Sequence, residues 1–423
     1  MLWYNYSWEG YKMETLLVSF IGKARENQTG SRKYQKTAYK FPTGETHEST
    51  FFGMAALNYL LKYGYKPDMM VIGTKGSTWS ELLEIIPETE ESLALYEEAE
   101  KGINPNVIER IIELFKDYMG LNIFPILYEE DPPPQDIVAK HFLEKALDKP
   151  YEKVIIDITH SYRYMPYIIL LASMILRHLN NSSIEILYGF FEGVSAGSEK
   201  PVFKLDILEE LIGLSEALSI FQLTGNFREY FYQITDERDI REKAKKAYFK
   251  IETNDQPRQE LRALLSSNGK YEKIHNYILD TLKAWDKDSV EDRMFERAKF
   301  FASKSQYFKA IVLMYEAIML KIAKKAGYTN VMNYKEREAI SERLNEACRS
   351  KLKDDNFKYF CDYFRLFQKI RNKVVHGTQI EGGLAGEANR YLSGEESILE
   401  LFKNIEELYN KIDHINLNRY LNN

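Results

Sequence analysis

The chain of 423 residues has only two cysteines, Cys348 and Cys361, and neither a CxxC pair nor a mixed His/Cys cluster. That scarcity argues against structural zinc and a disulfide framework, and it fits a reducing, cytoplasmic compartment. Long apolar runs are scarce as well. The longest, Met165 to Leu176, is too short to span a bilayer and ends in Arg177-His178, so a buried helix and no membrane partner are expected. Met1-Leu2-Trp3-Tyr4 lacks the basic-then-apolar order of a signal peptide. Neither GxGxxG nor GxxxxGK followed by Ser or Thr occurs, which disfavours ordinary dinucleotide or nucleoside-triphosphate binding. His47, His141, His178 and His275 show no metal-ligand spacing, and no metal site is expected. A surplus of positive charge is missing too. The net charge of -6 argues against indiscriminate coating of nucleic acid but leaves room for a local basic patch.

What is present describes a globular chain of two or three domains, 44% hydrophobic and 28% charged. Short apolar runs at 16–21, 69–73, 122–127, 153–158 and 184–190 alternate with helical patterns at about 48–64, 105–119, 135–147 and 165–180. This is the pattern of a parallel sheet covered on both faces, a Rossmann-like domain over 1–205. Helical periodicity then takes over. Breaks at Asn254-Asp255-Gln256-Pro257 and Ser266-Ser267-Asn268-Gly269 delimit a helical linker over 206–285 and an α-helical domain over 286–423. In that last domain, helices are expected at about 290–303, 305–327, 335–349, 354–376 and 394–414. The fold class is therefore α/β plus all-α. The aromatic run Tyr230-Phe231-Tyr232 is expected to pack between domains or copies rather than stack on bases.

Three expected strand ends carry small or polar residues: Gly22-Lys23, Thr74-Lys75-Gly76-Ser77 and Asp157-Ile158-Thr159-His160-Ser161-Tyr162-Arg163. In an open parallel sheet such ends line the ligand crevice, and backbone N–H groups beside glycine approach phosphates closely. A polyphosphate or nucleotide ligand is the natural expectation. Gly-Thr and Asp-x-Thr also simply end strands and cap helices, so the coincidence of three ends carries the reading.

Near the C-terminus, Arg371-Asn372-Lys373-Val374-Val375-His376-Gly377 follows a helix whose stripe of Phe357, Phe360, Phe364, Phe367 and Ile370 faces a core. A guanidinium can hold a phosphodiester while an imidazole moves a proton, with no metal required. Lys358, Arg365, Lys369, Arg371 and Lys373 are opposed only by Asp362. Arg371 and His376 lie about 140° apart around the helix axis and about 7.5 Å apart along it, an awkward separation for one helix aiming at one phosphate. Either the last turn unwinds at Gly377 or two copies of the helix combine. Glu381 to Gly386, rich in glycine, is expected to be a mobile loop beside the pair.

Taken together, Asp157-x-Thr159-His160-Ser161-x-Arg163, Gly73-Thr74 with Ser77-x-Trp79-Ser80, and Arg371-Asn-x-x-x-His376 resemble the CRISPR-associated ribonucleases that join a CARF domain to a HEPN domain. The resemblance covers nearly the whole chain. It implies a homodimer or higher homo-oligomer whose CARF domain binds cyclic oligoadenylate from a type III effector, thereby activating cleavage of single-stranded RNA. By resemblance Arg371 and His376 are catalytic with Asn372 in support. Gly22, Lys23, Thr74, Lys75, Gly76, Ser77, Thr159, His160, Ser161 and Arg163 hold the ring. Ser161 stands where the family commonly has glycine, which leaves ring size open, with cyclic tetra-adenylate favoured. The activator is the only small molecule implied, and no stable place in an effector complex is expected. Rival readings are a sensor whose helical domain binds a partner or RNA without catalysis, and a sensor that degrades its own ring.

Overall fold

In the computed structural model, which describes residues 14–23, 35–160, 162–190, 198–328, 333–350 and 354–421, the apolar runs of the first half form the middle of an eight-stranded sheet. In chain order the strands are β1 (Thr15–Phe20), β2 (Thr37–Lys40), β3 (Thr46–Ser49), β4 (Asp68–Thr74), β5 (Ile123–Tyr128), β6 (Lys153–Asp157), β7 (Ser183–Gly189) and β8 (Lys200–Lys204). They stand side by side as β3-β2-β8-β7-β6-β1-β4-β5. From β5 to β7 the neighbours are parallel, while β8 runs antiparallel to β7 and β3 antiparallel to β2. The chain leaves β1 toward β4 and β5, then returns to lay β6 and β7 on the other side. This makes β1 the switch point, where strand C-termini diverge into a crevice.

Helices α1 (Phe52–Lys62), α2 (Glu90–Lys101), α3 (Pro105–Met119), α4 (Gln135–Ala146) and α5 (Tyr164–Asn180) cover the sheet. Alternation along β1 divides the core in two. Leu17 buries with the apolar sides of α1 and α3, whereas Leu16, Val18 and Phe20 bury with those of α4 and α5. All of β1 and β4 is buried, as double cover requires. The expected strands form with ends shifted by about a residue. Strands β2, β3 and β8, helix α2 and a 3-10 helix over Trp79–Ile85 are additions to the expected set. Their sequences are short, half-exposed or strongly charged, so no apolar period marks them.

The chain divides into two compact units, Met1–Leu211 and Ile212–Asn423. Helix α6 (Asp206–Thr224) contributes residues to both. The second unit continues with α7 (Arg228–Ile234), α8 (Arg238–Glu252), α9 (Arg258–Leu265), α10 (Glu272–Lys283), α11 (Val290–Ser303), α12 (Tyr307–Lys325), α13 (Tyr334–Arg349), α14 (Asp355–His376), α15 (Ala385–Tyr391), α16 (Glu395–Lys411) and α17 (Asn418–Leu421). One buried cluster runs through it from Leu214 to Leu421. Tyr230 and Phe231 are fully buried inside this core, and the Tyr230 hydroxyl meets His275 Nδ1 at 3.1 Å. They pack within the unit rather than between domains.

Cys348 on α13 and Cys361 on α14 are joined by a disulfide, which corrects the expectation drawn from their scarcity. The two helices are consecutive neighbours, and their packing brings the Cα atoms to 5.3 Å. Cysteine spacing alone does not reveal such a helix pair. Helix α14 is stopped sharply at both ends. Asp354 accepts from the Phe357 N–H at 2.8 Å, and Gly377 takes the left-handed conformation (φ 66°) that glycine adopts freely.

Gly73, in β4, lies where a Cβ would come within 2.6 Å of Ile21 Cγ2 and 2.9 Å of Trp79 Cζ2. Gly73→Ala is therefore expected to destabilise the first unit by about 1–3 kcal/mol through overpacking. Gly76→Ala is the control, because its Cβ meets only Asp131 Oδ2 at 3.3 Å and Thr74 Oγ1 at 3.8 Å. Calorimetric unfolding temperatures that fall equally for both would contradict the overpacking at Gly73.

Candidate functional site

At the crevice, the carboxylate of Asp157 sits at the end of β6 and is fully buried. Ser19 Oγ of β1 donates to Asp157 Oδ2, and the Thr159 backbone N–H donates to Oδ1 at 2.7 Å. Thr159 Oγ1 in turn accepts from the Gly189 N–H of β7 at 2.9 Å. These bonds fix the ends of β1, β6 and β7 together. The Gly22 carbonyl accepts from the Thr78 N–H at 3.0 Å, so the loop after β1 is tied to the loop after β4. That second loop is closed by Ser77 Oγ, which accepts from the Thr74 N–H at 3.0 Å, and by Trp79 Nε1, which donates to the Thr74 carbonyl at 2.8 Å.

The candidate ring-holding residues fall into distinct environments. Lys23, Lys75, Gly76 and Arg163 are exposed, Gly22, Ser77, Thr159 and His160 are half-buried, and Thr74 is buried. Lys75 forms an ion pair with Glu129, so an anionic ligand would compete for its charge. Ser161 lies outside the described residues. Burial pushes His160 down to about 4, leaving a neutral imidazole at neutral pH rather than a cation for phosphates. Tyr162, absent from the candidate set, donates its hydroxyl to Asp131, whose other oxygen lies near Gly76. A single tyrosine after the strand carries no sequence signal for this interaction.

The second constellation lies at the end of α14. Arg371 Nη1 is 3.3 Å from His376 Nε2 and donates to Asn372 Oδ1 at 3.1 Å. All of Arg371, Asn372 and His376 are thus brought together within one chain. The helix stays intact to His376, and neither unwinding nor a second copy is needed to unite the pair. The angular separation of the two positions holds, but the reach of an arginine side chain spans it. Arg371 starts on the inward side with Phe360, Phe364 and Phe367 and bends outward across the ring of Tyr315 on α12, 5.3 Å from the centroid. A guanidinium can only donate, so this contact is a hydrogen bond in the tautomer that leaves Nε2 free to accept.

Lys358, Arg365, Lys369, Asn372 and His376 share one exposed or half-exposed face of α14, a stripe about 27 Å long. Among the described residues, none of Lys358, Arg365, Lys369, Arg371 and Lys373 forms an ion pair with a carboxylate. Lys369 donates to the Glu381 carbonyl and Lys373 to Asn389 Oδ1 at 2.9 Å, both neutral acceptors. The first of these bonds ties the start of the glycine-rich segment Glu381 to Gly386 to α14, and α15 begins inside that segment at Ala385. Among the described residues, no group of His, Cys, Asp and Glu has the arrangement of a metal site.

These geometries can be set beside known proteins. Residues 16–192 match the CARF-domain model of the CRISPR system endoribonuclease Csx1. The matched segment holds every described crevice residue discussed above, so over those residues the first unit is similar to a CARF domain, while β8 lies beyond the match. The CRISPR-associated protein MJ1674 of Methanocaldococcus jannaschii is 24% identical over an alignment of 434 positions, covering 93% of this chain and 66% of that protein. The chain thus spans slightly under two thirds of the length of that relative. The CARF match stops before α6, and the Arg371–His376 constellation lies outside it. No helix among the described residues is long and apolar enough to cross a membrane.

The Asp157 carboxyl is pushed up to about 6 from 3.8, chiefly by burial and against the opposing bonds from Ser19 and Thr159. A raised carboxyl binds its proton more tightly in the folded chain. Its contribution is fully present below 3.8 and lost as pH rises through about 6, a swing of about 3 kcal/mol. The unfolding temperature of Asp157→Asn, minus that of the unchanged chain, is therefore expected to become more positive between pH 4 and 7.5. A difference that does not vary with pH would contradict the assignment.

Proposed function

We propose that the chain is a cyclic-oligoadenylate-activated, metal-independent endoribonuclease of type III CRISPR antiviral defence. In this reading the CARF-like unit binds the ring, with cyclic tetra-adenylate the favoured activator, and the helical unit is a HEPN domain that cuts single-stranded RNA. The observation that carries it is the 3.3 Å approach of Arg371 Nη1 to His376 Nε2 at an exposed helix end, in a chain whose first unit matches a CARF model. RNA supplies its own nucleophile, the 2′-hydroxyl. The protein needs only to align it, neutralise the developing phosphorane charge and move protons.

Arg371 supplies the charge and His376 the proton transfer, while Asn372 holds the guanidinium. The products are a 2′,3′-cyclic phosphate and a 5′-hydroxyl. The stripe of Lys358, Arg365 and Lys369, without carboxylate partners among the described residues, extends from His376 as a path for the RNA backbone. The functional unit is a homodimer, in which a symmetric ring touching both CARF-like units biases their orientation. Helix α6, which belongs to both units, is the covalent route toward the helical domain.

Cleavage of a fluorescent RNA against a panel of cyclic oligoadenylates in excess chelator tests this reading. Ring-dependent cleavage is expected to persist in chelator, and Arg371→Ala is expected to lower it by about two to four orders of magnitude. Cleavage by the unchanged chain that vanishes in chelator would overturn the metal-free chemistry. Binding of ring and RNA without cleavage would favour a sensor over an enzyme.

The RNA path makes a separate prediction. Replacing Lys358, Arg365 and Lys369 with alanine is expected to raise KM. It should also flatten the dependence of log affinity on log salt by about 0.7 for each phosphate that is no longer neutralised. An unchanged salt slope would remove these residues from the path.

A further inference from the structure

We propose that Tyr315 is a positioning residue of this site, its buried ring forming the seat that holds the Arg371 guanidinium against His376. The inference rests on the RNA-cleaving role proposed for that pair. Arg371 and His376 leave α14 on different sides, about 140° apart, so the arginine must turn across its own helix to meet the imidazole. Its guanidinium does so over the ring face of Tyr315, 5.3 Å from the centroid. Arg371 Nε is buried and has no hydrogen-bond partner among the described residues. For that edge of the cation the π-face replaces water, which is a favourable exchange in a desolvated place.

The seat itself is rigid. Tyr315 belongs to the core of the second unit, and its ring packs on Phe364 at 6.1 Å and Phe367 at 6.3 Å between centroids. Gln368, one turn before Arg371, donates from Nε2 to the Tyr315 hydroxyl at 3.3 Å. Two side chains of α14 thus grip one tyrosine, Gln368 at the hydroxyl and Arg371 at the face. Only the face bears on the guanidinium. The hydroxyl should be dispensable to catalysis and the ring indispensable, a division that a general packing role does not impose.

The test compares Tyr315→Phe, Tyr315→Leu and Tyr315→Met in the full chain, each checked for an intact unfolding transition. Tyr315→Met preserves bulk if the leucine variant fails to fold. Losing the ring is expected to lower kcat for RNA cleavage by roughly 10- to 100-fold with KM within about twofold, while Tyr315→Phe stays within about threefold of the unchanged chain. An activity-independent readout accompanies it. In arginine-labelled protein, the Nε–H resonance of Arg371, assigned by its loss in Arg371→Lys, is expected to show an upfield ring-current shift. Tyr315→Phe should keep that shift and Tyr315→Leu or Tyr315→Met should abolish it. A folded ring-less variant with undiminished kcat, or an Arg371 resonance indifferent to the ring, would overturn the seat. If the unchanged chain cleaves no RNA, the cleavage reading fails, and the resonance still decides whether the seat exists.

Discussion

The candidate cleavage chemistry depends on the way α14 is buried. Its phenylalanine stripe packs into the core of the helical unit, and this burial sets the rotation of the helix. With that rotation fixed, His376 faces outward in the cationic stripe and Arg371 starts on the inner side over Tyr315. A rotation by one residue, about 100°, would bury the imidazole or lift the guanidinium off the ring. Apolar packing therefore decides a polar geometry. Gly377 completes the arrangement by stopping the helix immediately after the imidazole.

The first unit solves a different problem. A parallel sheet with β1 at the switch point gathers several strand C-termini, and their loop ends must be tied to one another. Asp157 achieves this by accepting from β1 and from its own following loop, while Thr159 accepts from β7. Burying that carboxyl carries a cost, visible in its raised proton affinity. The crevice is thus built from satisfied hydrogen bonds and a neutral His160 rather than from a dense array of cations. Such a lining suits recognition by shape and backbone donors, with the few exposed basic residues at its rim.

Much of this is legible in the chain. The central strands are unbroken apolar runs, and doubly covered strands carry no other signature. The helices around Arg371 announce themselves through apolar stripes and a capping aspartate. Strands β2 and β3 are not legible, because Thr37–Lys40 and Thr46–Ser49 are only four residues each and largely polar, and the buried Tyr39 and Ser49 are too few to mark a period. Helix α2 is mostly charged outside Leu95 and Ala99, so its period is faint. The Arg371–His376 spacing is readable, but Cα angles alone misstate what a long, flexible side chain can reach. Tyr315 leaves no trace near the motif, since its approach to Arg371 exists only when α12 and α14 pack. Cys348 and Cys361 are likewise paired by a helix–helix approach that spacing does not encode.

The proposed function divides labour between the two units, assigning ring recognition to the strand ends of the first and RNA cleavage to the end of α14 in the second. Titrating a cyclic oligoadenylate into His376→Ala by calorimetry, while following RNA cleavage in the same preparation, separates the two roles. Unchanged ring affinity together with abolished cleavage is the expected result. Loss of ring binding along with cleavage, or cleavage that survives without the imidazole, would contradict this division.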